Sequence, residues 1–149
     1  MPKITCQDFN HILQSEMTWA SDADMRLERI EPGLAVMRLP YHHGSTRPGG
    51  SISGPHMMML ADACMYAVVL GLIGQVKLAV TTNFNINFLR KPEETDLLAE
   101  GKIIKLGKRL AIMEVSISAA TTGKLVAHAT GTYSIPPSAV SEADLAIGE

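Results

Sequence analysis

The run from Ser53 to Leu72, SGPHMMMLADACMYAVVLGL, constrains this chain more than any other stretch: it is almost wholly apolar and holds a single acid, Asp62. Gly54 followed by Pro55 marks a helix start, because a proline in the first turn has no N–H to leave unsatisfied. Met, Leu and Ala, which dominate the remainder, favour helix. A helix that is apolar all round has to be covered all round, which predicts a sheet wrapped on it and a second subunit against it. Its length alone would let it cross a membrane. The flanking segments, however, alternate like strands of a soluble domain, and a carboxylate at a bilayer centre is costly. The reading is therefore a core helix, with no membrane partner.

The rest of the chain supplies the cover. Within an N-terminal helical segment, 1–20, Phe9, Ile12, Leu13 and Met17 recur at helical spacing behind a Thr5/Asp8 capping pair, which predicts one helix from Thr5 to Trp19. Met25 to Ile30 and Leu34 to Leu39 alternate and meet at Glu31-Pro32-Gly33, a hairpin. Pro40 to Gly50 is a loop that feeds the central helix, and Gly71 and Gly74 mark where that helix ends. Lys77 to Leu89 reads as a strand with Thr81, Asn83, Asn85 and Asn87 on one face and Phe84, Ile86 and Phe88 on the other. Leu97 to Leu106, Leu110 to Ala119 and Leu125 to Ile135 follow as strands whose short connections make them antiparallel neighbours. Pro136-Pro137 stops the last one and leaves 136–149 as a tail. The prediction is a single α+β domain over 1–149, an antiparallel sheet around one long helix, with edges that invite dimerisation.

Composition narrows the function. A net charge of −2 gives no general attraction to nucleic acid. Cys6 and Cys64 stand far apart in no metal-ligand spacing, which fits free thiols in a reducing, cytoplasmic setting, and no basic and apolar leader is present to predict export. His42, His43, His56 and His128 have no companion ligands at metal spacing, so no metal is assigned.

The stretches RPGGSISGPHMMMLADACMYAVV, LAVTTNFNINFLRKP, KLGKRLAIMEVSI and LVAHATGTYSIPP, in this order, resemble the hotdog-fold acyl-CoA thioesterases, in the branch named after phenylacetyl-CoA thioesterase. The resemblance runs from about Arg47 to Pro137. It implies that Asp62 attacks the thioester carbonyl or activates a water that does, that the Gly54 N–H polarises the carbonyl, and that Thr81 helps place the water. It also implies that Arg90, Lys91, Lys108 and Arg109 hold the nucleotide part of CoA, which is substrate rather than cofactor. Where the family commonly has His-Gly-Gly this chain has Ser53-Gly54-Pro55, and Arg47 stands where many relatives have Asn.

The residues make an independent case for acyl transfer. Burial raises a carboxyl toward the pH range where it works as base or nucleophile. A free N–H at a helix start suits a developing oxyanion. Eight residues of helix separate Gly54 from Asp62 by about 12 Å along the axis, too far to share one carbonyl. Gly54 of one subunit then works with Asp62 of another, in a symmetric dimer that could pair again into a tetramer. Asn83, with Asn85 and Asn87, reads as a polar layer at an interface or site, and Asn83 is taken as a candidate substrate- or CoA-binding residue. The alternative is a non-catalytic acyl-CoA binding or sensing protein on the same fold; the lone buried acid favours the enzyme.

Overall fold

The computed structural model describes residues 1–76, 79–137 and 145. Its first helix, α1 (Cys6–Glu16), opens on the expected capping box, with the Thr5 hydroxyl accepting from the Asp8 N–H and the Asp8 carboxylate accepting from the Thr5 N–H. The sequence reading carried this helix on to Trp19, and here the structure differs. Met17 leaves helical dihedrals (φ −123°, ψ 69°) and a separate short helix, α2 (Thr18–Asp22), begins there. The Met17 carbonyl accepts from the N–H groups of Ala20 and Ser21, so the break leaves the new turn bonded.

The hairpin β1 (Arg26–Glu31) and β2 (Leu34–Leu39) turns at Gly33, whose φ of 82° is the left-handed conformation that glycine adopts at least cost. The long helix α3 (Gly54–Ile73) follows, then β3 (Val80–Phe88), β4 (Leu97–Leu106), β5 (Leu110–Ala119) and β6 (Leu125–Ser134). The expected strand start at Lys77 and Leu78 lies outside the described residues, as does the tail from Ser138 onward apart from Leu145, which is half-buried against the core.

The strands form one antiparallel sheet in the order β1-β2-β4-β5-β6-β3. Helix α3 carries the chain from β2 across the sheet to the opposite edge, where β3 pairs with β6 alone. This is the hotdog fold. Two strand glycines let the helix lie close: a Cβ at Gly101 would meet Cys64 Sγ at 2.9 Å and Val68 Cγ2 at 3.0 Å, and one at Gly131 would meet Met65 Sδ at 2.5 Å. From Leu60 onward nearly every side chain of α3 is buried, and 72% of its apolar window lies inside the fold. Toward its start one stripe stays open: Pro55 and Met58 are exposed, and Met59, Asp62 and Tyr66 are half-buried. The helix is therefore covered by the sheet over its C-terminal half and open along the stripe that carries Asp62.

Candidate active site

Asp62 sits near the middle of α3 on that open stripe. The sequence suggested full burial; the carboxylate is instead half-buried, between two cavities. One, of about 370 Å³, is lined by Trp19, Met58, Met59 and Phe84 beside Asp62 and Thr81. The other, of about 470 Å³, is lined by Ile12, Glu16, Tyr66, Val80 and Tyr133 among others. Two hydroxyls hold the same carboxylate oxygen: Thr81 Oγ1 donates to Asp62 Oδ1 at 2.7 Å, and Tyr133 OH donates to it at 2.8 Å.

Thr81 reaches Asp62 because the strand breaks its alternation. The pairing of β3 with β6 slips between Thr81 and Asn83, a β-bulge that puts one extra residue on β3. Simple alternation grouped Thr81 with Asn83, Asn85 and Asn87. The bulge turns Thr81 to the helix side with Phe84, while Thr82 Oγ1 bonds the Thr132 carbonyl at 3.3 Å. Asn83, Asn85 and Asn87 are exposed on the single chain, so the polar layer is an open surface here rather than three buried amides.

Tyr133 is the site residue the sequence reading missed. It is buried on β6, directly opposite Thr81 on β3, and its ring stacks on Tyr66, one helical turn beyond Asp62, with centroids 6.2 Å apart. Burial pushes its phenol well above the usual tyrosine range, and the Asp62 charge adds to the shift, so it stays a proton donor throughout the working pH range. Its only sequence signal was a polar-tipped aromatic at an inward position of a strand.

Gly54 opens a different cavity, of about 630 Å³, together with Arg47, Ser51, Phe88, Arg90 and Lys91. The helix start leaves one amide spare. His56 N–H goes to Ser53 Oγ, Met57 N–H goes to the Ser53 carbonyl and Pro55 has none, so the Gly54 N–H alone has no acceptor among the described residues. Ser51 Oγ in the same cavity is buried without a hydrogen bond. The histidine that is absent at position 53 stands one turn later, where His56 Nδ1 and Ser53 Oγ are 2.7 Å apart.

The predicted cations divide into two groups. Arg90 and Lys91 share the Gly54 cavity beyond the Phe88 end of β3. Lys108 and Arg109, exposed in the β4–β5 turn, lie at the other end of the sheet, where Leu110 and Val80 both pair with Ser134. A single chain does not bring the two groups together. Cys64 contributes nothing reactive: it is sealed against the Ala35 and Ala99 carbonyls, and burial pushes its thiol up to about 12.

The family model described as Thioesterase superfamily matches residues 49–126. The chain belongs to the thioesterase superfamily. That matched stretch holds Gly54, Asp62, Thr81, Arg90, Lys91, Lys108 and Arg109, and it leaves Trp19, Arg47 and Tyr133 outside. A crystal structure named for a thioesterase of Silicibacter sp. TM1040 is 36% identical, covers 92% of this chain and 95% of its own, and superposes with a TM-score of 0.83. A Haemophilus influenzae thioesterase structure shares the fold at 18% identity, with a TM-score of 0.77 over 91% of this chain and 94% of its own. A Saccharolobus solfataricus protein named as an esterase is 28% identical over 145 residues, 97% of this chain and 94% of that protein. Superfamily membership puts the chain among ester and thioester hydrolases.

Proposed function

We propose that this thioesterase-superfamily chain hydrolyses an acyl-CoA thioester to the free carboxylic acid and CoA, with Asp62 as general base or nucleophile. The observation that carries the reading is Asp62 itself: a carboxylate held by two hydroxyls at the edge of an apolar cavity. Among the described residues, Asp62 is the one charged group on the wall of that cavity, so the acyl group it takes is apolar and uncharged, and Trp19 and Phe84 give it flat faces. The resemblance to the phenylacetyl-CoA branch puts aryl-acetyl esters in the same class. A thiolate leaves without strong acid help, so the carboxylate and one carbonyl donor suffice, and no cofactor enters beyond the CoA of the substrate.

The donor is the spare Gly54 N–H of a second copy. On β3, Thr81 touches Asp62 at one end and Phe88 covers Gly54 at the other, about 23 Å along the strand. Among the described residues, the outer edge of β3 has no partner strand in the sheet. Two copies joined there about a two-fold axis run antiparallel, which sets the Thr81 end of one beside the Phe88 end of the other. Asp62 then faces the partner's Gly54, and the Lys108–Arg109 turn approaches the partner's Arg90 and Lys91, ready for CoA phosphates. Two equivalent sites result, in a homodimer that can pair again as a tetramer. With two unpaired cysteines, Cys6 and Cys64, the proposal places this enzyme in the cytoplasm, with neither nucleic acid nor membrane as partner.

The test is CoA release from aryl, short-chain and medium-chain acyl-CoAs by the native chain and by Asp62→Asn. Turnover of at least one ester, with a loss of about a hundredfold or more in the near-isosteric variant, upholds the reading. Tight binding of CoA esters without turnover overturns it in favour of an acyl-CoA binding protein.

A further inference from the structure

The two oxygens of Asp62 are not equivalent. Oδ1 accepts from Thr81 Oγ1 at 2.7 Å and from Tyr133 OH at 2.8 Å, whereas no described residue donates to Oδ2. Tyr133 OH also lies 3.0 Å from the Asp62 carbonyl. A hydroxyl has one proton, and the charge-assisted bond to the carboxylate is the stronger of the two choices. Both donors come from one cross-strand pair, since Thr81 on β3 stands opposite Tyr133 on β6. The tyrosine is rigid: its side chain is buried and its ring is stacked on Tyr66, which packs in turn on Phe9 of α1 at 5.9 Å between centroids. Other titratable groups on the cavities that flank Asp62 are Glu16 and Tyr66.

We propose that Tyr133 is a positioning residue that, with Thr81, fixes Asp62 Oδ1 and reserves Oδ2 as the oxygen that reacts. The inference rests on the hydrolase reading above and sharpens it. In the general-base form, Oδ2 takes a proton from water as the water oxygen bonds to the thioester carbon. The C–S bond then breaks, and the proton passes from Oδ2 to the departing sulfur, so the carboxylate is restored. With Oδ1 held at two points the carboxylate cannot rotate to exchange its oxygens, and the attacking direction is set before the substrate arrives.

Tyr133→Phe keeps the ring, its stack and the core volume, and deletes the hydroxyl alone. On the best ester of the panel it is expected to lose about tenfold to a hundredfold in kcat, the range for one hydrogen bond to a charged group, with KM unchanged. Thr81→Val is expected to lose kcat in the same range, again with KM unchanged. A Tyr133→Phe kcat within about twofold of native overturns the proposal. If the native chain releases CoA from no ester, the hydrolase reading fails separately. The positioning claim is then decided by the ¹³C NMR resonance of the Asp62 carboxyl at neutral pH: a displaced resonance in Tyr133→Phe upholds it, and coincident resonances overturn it.

Discussion

Phe88 covers Gly54 so closely that a Cβ there would stand 3.3 Å from its Cζ, and this contact ties the spare amide of α3 to the far end of β3. The ring is itself half exposed and free to yield by a few tenths of an ångström.

Gly54→Pro therefore isolates the amide. Ser53 is extended (φ −73°, ψ 154°), the conformation a following proline prefers, and proline is favoured at a first helical position. The variant is expected to lose about a hundredfold or more in kcat, as for removal of one oxyanion donor, with circular dichroism checking that the helix survives the new Pro-Pro pair. Native-like turnover would remove Gly54 from the mechanism.

Mixing tests the proposed sharing of the site between two chains. Asp62→Asn and Gly54→Pro are each expected to be inactive alone. After joint refolding at equal amounts, half of the dimers carry one of each, and every such dimer rebuilds one intact site, so about a quarter of native activity should return. No recovery, with hybrid dimers present by native mass spectrometry, would mean that each chain completes its own site.

Acid stability should report the Asp96 contacts. Its carboxylate accepts from the Tyr41 N–H at 2.8 Å and from Arg38 Nη1 at 3.0 Å, and these two, the backbone donor first, hold it below the usual range. A depressed carboxyl adds stability that is fully present above its unfolded value near 3.8 and is lost as pH falls through the folded value. With its side chain 36% exposed, solvent screening keeps this contribution to about 0.5 kcal/mol. Asp96→Asn should then lower Tm by about 1–2 °C at neutral pH and by less near pH 3, measured by calorimetry. Glu28, held down chiefly by its hydrogen bond to Arg38, keeps part of the acid sensitivity in the variant.

Much of this molecule was legible because periodicity, caps and breakers agree. The Gly54-Pro55 start and the Gly71 and Gly74 stop signals bound α3 to within a residue or two, and β2, β4 and β5 begin and end where alternation places them. What escaped depends on contacts that no local pattern encodes. The bulge that turns Thr81 toward Asp62 is a register slip against β6, a strand some fifty residues later. Tyr133 lies 71 residues from the acid it holds, and only the sheet order brings them together. Met17 interrupts a pattern that reads as unbroken, because its apolar side chain continues the stripe while its backbone turns away. The family resemblance groups Lys108 and Arg109 with Arg90 and Lys91; strand direction sets the two pairs at opposite ends of the sheet in one chain.

The placement of Thr81 on β3 has a kinetic side. That strand has one neighbour, β6, and its side chains are the most exposed of any strand beside the helix's open stripe. Elements held this lightly have the lowest opening free energies in a fold and exchange their amide hydrogens first. One of the two hydroxyls that steady Asp62 thus rides on a segment that breathes, while the other is locked in the interior. If copies pair along β3 as proposed, its amides should be the fastest of the sheet in hydrogen exchange when the protein is dilute and should slow as its concentration rises, so that the stiffness of the Asp62 carboxylate is set by mass action as well as by the fold.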